Sequence, residues 1–345
     1  MQITYFLSLI FTLILTPFIT RLSSYFGLLE KPDARKRHSR PTASLGGIAI
    51  CSSFLLSVFL IEIFSSKLLD VEDLLIPNKD ISIFFLGLIT YFLIGLLDDL
   101  YRLSPWPRLV GQIIIAAIMW FLGLKIENYE IFFEFNLNHL TSFLITIFWI
   151  VGVTNAINWL DGLDGLASRF ASISFVGISI IAINNNNIGI SIISSILAGS
   201  CIGFLHQNSY PAKIFMGDSG SFLIGFSLAC LSIMGCSNYE RNIDLIPAIL
   251  ILLIPILDMS IVILQRLLQK KSPFYPDRSH FHYKLIDLGL TQNQVSSIYF
   301  STNLTLILIY VYLAKINFSY NLIIFTVILN LFFSIKPNLK LYKGH

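Results

Sequence analysis

The sequence predicts an all-α polytopic membrane protein, a bundle of about ten or eleven transmembrane helices forming one domain over residues 1–345. Three observations carry this. The chain is 55% hydrophobic and only 12% charged, against roughly 25% charged residues in a soluble domain. Apolar runs of about 16 to 22 residues recur along its whole length, near the length that crosses a bilayer as a helix. The longest polar segments are about 25 to 30 residues, too short for an independent core. No separate soluble domain is therefore expected.

Eleven spans follow, at about 3–20, 45–65, 81–97, 109–124, 141–156, 166–183, 188–205, 219–236, 243–264, 294–313 and 319–335. Gly111, Gln112 and Gly123 interrupt the fourth, and without it ten remain. The first run has no basic residue before it, and Arg21 comes after it, which argues for a retained span and against a cleaved signal. Eighteen of the 23 lysines and arginines fall on one side of this alternation and five on the other. The positive-inside rule then places loops 21–44, 98–108, 157–165, 206–218, 265–293 and the tail from Lys336 in the cytoplasm, with the amino terminus outside. Cys51, Cys201, Cys230 and Cys236 all lie in apolar runs and read as small buried hydrophobes. The outer loops, including Asn184–Asn187, read as solvated connections.

The polar chemistry gathers on the cytoplasmic side. Loop one, LLEKPDARKRHSRPTASLGG, is strongly basic. Most of its charges suit a topology signal beside anionic lipid, while Pro41-Thr42 and Gly46-Gly47 allow close backbone approach to a phosphorylated substrate. Loop two places Asp98 and Asp99 side by side at the end of a span, where like charges need a cation nearby. Loop three reads NAINWLDGLDGLA, with Asn155, Asn158, Asp161 and Asp164 at three-residue spacing. That spacing turns 300° per step on a helix, so the four cannot share one face. The asparagines are expected on the last turn of span five, and the aspartates on a re-entrant turn broken by Gly162 and Gly165. Loop four carries Asp218 between Gly217 and Gly220, an arrangement that suits metal or phosphate approach better than a simple helix cap. Loop five holds Asp277, Arg278, His280 and His282 within six residues. An arginine beside two imidazoles, with no cysteine partner, suits phosphate better than zinc. Asp258 is an intramembrane acid and a site candidate on that ground alone.

Carboxylates and amides without thiolates select a hard cation, Mg²⁺ first, and Mg²⁺ held by few carboxylates usually shares phosphate oxygens with a substrate. Phosphoryl-type transfer between a water-soluble and a lipid partner is the chemistry this pattern supports.

Five segments in order, KPDARKRHSRPTASLGG (31–47), GLLDDLYRLSP (95–105), NAINWLDGLDGLA (155–167), NSYPAKIFMGDSGS (208–221) and PDRSHFHYKL (276–285), resemble the polyprenyl-phosphate N-acetylhexosamine-1-phosphate transferases. The resemblance implies a cytoplasm-facing cleft, a UDP-sugar donor, undecaprenyl phosphate as acceptor, UMP as leaving group and an Mg²⁺ requirement, with Mn²⁺ as a substitute. It implies that Asp218 is the metal ligand, and that Asp98, with Asp99, Asp161 and Asp164, belongs to the catalytic machinery. Asn155, Asn158, Asn208, Lys31, Thr42, Arg278, His280 and His282 are implied as substrate contacts. The histidine motif resembles the branch that uses UDP-GlcNAc, while the branch that uses UDP-MurNAc-pentapeptide usually shows three consecutive histidines. Tyr283 stands where the family commonly has another histidine. Membrane lipid is a partner, nucleic acid is not, and a homodimer is allowed. A transporter for an anionic solute is the competing class. It would place its polar groups at the bilayer midplane in repeated halves, and neither feature is present in the sequence.

Overall fold

The structure is a computed structural model and describes residues 1–30, 41–68, 78–130, 134–237, 242–274, 278–316 and 321–334. The chain runs α1 (Gln2–Tyr25), β1 (Leu29–Glu30), β2 (Thr42–Ala43), α2 (Gly46–Leu68), α3 (Lys79–Tyr101), α4 (Pro105–Leu122), β3 (Asn128–Glu130) and β4 (Glu134–Asn136). It continues through α5 (His139–Leu160), α6 (Leu166–Asn184), α7 (Ile188–Asn208), α8 (Gly217–Gly235), β5 (Asn242–Asp244), α9 (Leu245–Leu268), α10 (Phe281–Asp287), α11 (Gln292–Leu313) and α12 (Asn321–Ser334).

Ten of these helices are long and apolar enough to cross a membrane, and α12 adds the shorter apolar stretch Leu322–Leu331. The expected ten or eleven spans are therefore present. The predicted ends fall short mainly on the polar side. α3 runs on to Tyr101, so Asp98 and Asp99 are helical residues, and α4 begins at Pro105, ahead of its apolar run. Proline is well placed there, because a first-turn N–H has no helical partner to lose.

The bundle is built outward from α6, α7 and α8, whose apolar windows are 94%, 89% and 83% buried, while that of α4 is 17% buried. Serines make this centre compact. Ser172 and Ser174 of α6 turn their hydroxyls back onto the carbonyls of Arg169 and Phe170 and accept from Asn330 of α12 and Asn303 of α11, so small side chains allow close packing while their hydroxyls tie neighbouring helices together. α1 and α2 pack on α7, α3 and α5 on α8, α4 on α3 and α5, and α9 and α11 on α6. Side chains cap several helices: Asn78 for α3, Asn138 for α5, Asp244 for α9, and a reciprocal Thr291–Gln294 box for α11.

At one end of the bundle, β3 pairs antiparallel with β4 and parallel with β5. At this end the Asn184–Asn187 turn is more than a solvated connection. Asn185 donates to Gly235 O at 3.0 Å, and Asn187 donates to Met234 O and Ser237 O at 3.1 and 2.8 Å, which closes the end of α8. All four cysteines are buried and free, as expected.

Candidate functional site

The opposite end of the bundle carries the polar motifs, and they converge on the first turn of α8. Gly217 precedes Asp218 with φ +74°, and a Cβ there would lie 2.5 Å from Ser44 O. Only glycine suits that backbone and that gap. Asp218 then sits in the first helical turn. The turn is capped from another helix: Asp99 of α3 accepts the backbone N–H of Asp218 at 2.7 Å, that of Ser219 at 3.0 Å, and the Ser219 hydroxyl. A carboxylate at the positive end of a helix is favourable as well as hydrogen-bonded.

Successive residues on a helix diverge by about 100°, so Asp98 faces elsewhere. It is 6% exposed and forms an ion pair with Arg108 of α4. The same Arg108 Nη1 lies 3.1 Å from Asp218 Oδ2. One guanidinium nitrogen therefore bridges two carboxylates from α3 and α8. Asn158 of α5 completes the group, donating to Asp218 Oδ1 and to Ser221 Oγ at 2.8 Å. One turn back, Asn155 donates to Gln112 Oε1 of α4 at 2.6 Å and to Val151 O at 2.8 Å. The two asparagines thus extend polar contacts down the inner face of α4, from Arg108 to Gln112.

The aspartates of NAINWLDGLDGLA lie on a short turn, residues 161–165, that joins α5 directly to α6. Asp161 ends α5. Asp164 Oδ2 accepts the Ala212 N–H at 2.9 Å, and its own N–H donates to Gln292 Oε1 at 3.0 Å. Asn208, 2% exposed, donates to Ile214 O at 3.0 Å and accepts from Ser168. Asp164 and Asn208 both grip the 209–216 loop that delivers Asp218. The strand carrying Thr42 and the start of α2 hold the same loop as well: Phe215 N–H donates to Ala43 O at 2.8 Å, and Gly47 N–H to Met216 O at 2.8 Å. Lys31 lies outside the described residues, as do Arg35, Arg37 and Asp277.

A second cluster adjoins the first through α5, since Trp159 follows Asn158. The His280 ring meets Trp159 edge-on at 5.4 Å and stacks on His282 at 5.4 Å and 14°. Arg266 also lies over the Trp159 ring, at 5.1 Å. Tyr283 packs on His282 at 4.3 Å, carries Arg278 over its ring at 5.3 Å, and donates to Gly162 O at 3.3 Å. Gly162 leaves the room for this, because a Cβ on it would lie 2.8 Å from both His282 Nε2 and the Tyr283 hydroxyl. His282 is fully buried, and burial, aided by the neighbouring His280, lowers its pKa to about 3. It is therefore neutral at ordinary pH. Burial also raises the Tyr283 phenol, against the opposing charge of Arg278.

The donors at the α8 terminus suit a hard divalent cation. Asp98, Asp218, the Asn158 amide and the Ser221 hydroxyl are oxygen-bearing groups on one wall, and two of them already share a cation in Arg108. Among the described residues there is no group of three histidines, cysteines or acids placed to hold a metal. That limit fits Mg²⁺, which keeps waters and takes phosphate oxygens in place of an all-protein cage.

Sequence reasoning missed Arg108, which reads only as a topology charge between Pro107 and an apolar run. The signal available was its place on a helix facing two adjacent acids. Gln112 and Ser221 were also missed, because nothing local marks a buried amide or hydroxyl as part of a site.

A helical bundle with carboxylates, an arginine and amides collected at one end of a central helix defines a multi-pass membrane protein with a polar site at one membrane face. Residues 81–236, which hold every member of the first cluster, match the profile of glycosyl transferase family 4. The chain belongs to that family. It is 32% identical over 292 residues to a probable undecaprenyl-phosphate N-acetylglucosaminyl 1-phosphate transferase of Bacillus subtilis (strain 168), covering 84% of this chain and 78% of that protein. It is 29% identical to a decaprenyl-phosphate N-acetylglucosaminephosphotransferase of Mycobacterium leprae, over 83% of this chain and 77% of that protein. With a phospho-N-acetylmuramoyl-pentapeptide-transferase of Bacillus mycoides it shares 30% identity over 67% of this chain and 73% of that protein.

Proposed function

We propose that this protein transfers an N-acetylhexosamine-1-phosphate, GlcNAc-1-phosphate first, from a UDP-sugar to undecaprenyl phosphate, with release of UMP, at the cytoplasmic face of a bacterial inner membrane. The observation that carries the reading is the Asp98–Arg108–Asp218–Asn158 cluster at the start of α8, inside the segment shared with the family. The relatives named above as N-acetylglucosamine phosphotransferases align over more of this chain than the muramoyl-pentapeptide one, which supports the choice of sugar. The excess of lysine and arginine on the site side supports the orientation.

The chemistry follows from charge. The lipid phosphate has its second pKa near 6 and is mostly a dianion at neutral pH, so it hardly needs a general base. One of its oxygens attacks the β-phosphorus of the UDP-sugar. The bond from that phosphorus to the α–β bridging oxygen breaks, and the bridging oxygen leaves with UMP. Three anionic phosphates must be brought together, and the protein's part is to offset their repulsion. Arg108 offers a fixed cation at that point. Asp98 and Asp218 hold its guanidinium in place, and Asp99 holds the Asp218 backbone. Asn158 orients Asp218, while Asp164 and Asn208 keep the loop ahead of it in register. Bound beside Asp98, Asp218 and Asn158, Mg²⁺ would supply further charge stabilisation for the diphosphate oxygens. His280 and Arg278 are the diphosphate-side donors in this reading.

The test is UMP release by purified protein given undecaprenyl phosphate, Mg²⁺ and a panel of UDP-sugars. Release with UDP-GlcNAc and loss of release in Asp218→Asn are expected. Release only with UDP-MurNAc-pentapeptide would move the protein to the other branch. Solute uptake into vesicles without UMP would replace the enzyme reading altogether.

A further inference from the structure

α10 is about two turns long, too short to hold itself in place, yet it and its N-cap carry both histidines of the motif. Its first residues are anchored by a buried carboxylate. Asp258 of α9, 8% exposed, accepts from His280 Nδ1 at 2.8 Å through Oδ2 and from the Phe281 backbone N–H at 2.7 Å through Oδ1. Both of its oxygens are thus spent on the first two residues of the arm.

The pairing has a chemical consequence. A carboxylate offers acceptors only, so His280 must carry its hydrogen on Nδ1. Nε2, on the far edge of the ring, is then left for a ligand. Ring rotation is closed off as well, by the edge contact with Trp159 and the stack on His282.

We propose that Asp258 is a positioning residue for the nucleotide-sugar: acting through His280, it fixes the tautomer and ring orientation with which Nε2 meets the diphosphate. This rests on the transferase reading given above. Asp258 itself does not reach the substrate.

Two measurements test it. The first needs no substrate. In detergent-solubilised protein labelled with ¹⁵N-histidine, the signal removed by His280→Gln should be that of the Nδ1–H tautomer at alkaline pH, and Asp258→Asn should change it. An Nε2–H tautomer in the wild type overturns the proposal. The second is a double-mutant cycle of Asp258→Asn and His280→Gln on UMP release. Asp258→Asn should raise KM for the UDP-sugar about ten- to a hundredfold and leave KM for the lipid phosphate unchanged. In the His280→Gln background it should add almost nothing. Additive losses, or an unchanged KM in folded Asp258→Asn, overturn the proposal. Asp258→Glu, which keeps the carboxylate, should recover part of the KM effect if Asp258→Asn folds poorly, and no recovery counts against it. A wild-type protein that releases no UMP from any UDP-sugar removes the transferase reading instead, and the tautomer measurement still decides the Asp258–His280 pair.

Discussion

Gly95→Ala is the sharpest test of how the site is held. Gly95 lies on α3 where α3 crosses the first turn of α8. A Cβ added there would sit 2.3 Å from Asp218 O, 2.5 Å from Asp218 C and 2.6 Å from Ser219 Cα. All three are backbone atoms, so no side-chain rotation relieves the clash. Ordinary contact at about 3.5 Å requires α8 to move away from α3 by roughly 1 Å. The bonds from Asp99 to the N–H groups of Asp218 and Ser219, at 2.7 and 3.0 Å, and the Arg108–Asp218 contact at 3.1 Å cannot survive that shift. Overpacking of this kind costs about 1–3 kcal/mol of stability, and a 1 Å misplacement at a reacting centre costs about a hundredfold in rate.

Gly87→Ala is the control. It lies about two turns away on the same helix, and its added Cβ meets Phe226 Cζ at 2.2 Å and Met119 Sδ at 2.9 Å, both side-chain atoms away from the site. UMP release per folded molecule and Tm are measured for both variants in detergent. Both should lose stability, and only Gly95→Ala should lose about two orders of magnitude in turnover. Equal turnover in the two variants, or near-normal turnover in Gly95→Ala, would refute the claim that the α3–α8 crossing positions Asp218.

Two further outcomes follow from the same geometry. Arg108→Ala leaves the nearly buried Asp98 and its neighbour Asp218 facing each other without their cation, so turnover should fall by at least a hundredfold at saturating UDP-sugar, with Arg108→Lys recovering part of it. The pH dependence of stability should carry a contribution from His282. Its folded pKa of about 3 lies below the unfolded value near 6.5, so the unfolded chain binds the extra proton between those limits. Stability from this group is complete above pH 6.5 and is lost as pH falls, by about 2 kcal/mol between pH 6.5 and 5. Thermal unfolding across that range should show a shallower acid loss in His282→Phe, which keeps the ring stack without the titration, and an unchanged slope would contradict the assignment.

The sequence made the membrane bundle legible because crossing a bilayer demands long apolar runs, and those survive in composition alone. The starts of α6 and α7 fall on the predicted residues, and the turn after α5 falls where Gly162 and Gly165 announced it. The ends of α3 and α4 were less legible. A helix continues on its own hydrogen bonds past the hydrocarbon edge, where hydropathy no longer reports it. The acidic and amide residues of the site were visible as a list, since polar groups beside a span are costly unless something uses them.

Their partners were not visible, because each partnership is made between helices far apart in the chain. Spacing alone placed Asp98 and Asp99 together. Only the packing of α3 on α8 and α4 sends one to Arg108 and the other to the backbone of Asp218. In the same way the resemblance marks Asp164 for the catalytic machinery and Asn208 as a substrate contact, while in the fold their polar atoms grip the loop before α8. Asp258 read only as an acid in a span until α10 was seen resting on it. The sequence by itself determined which residues are polar, on which side of the membrane bundle they collect, and what family they belong to. Tertiary structure alone decided which of them face one another, because a hydrogen bond depends on fractions of an ångström between elements whose separation along the chain carries no such measure.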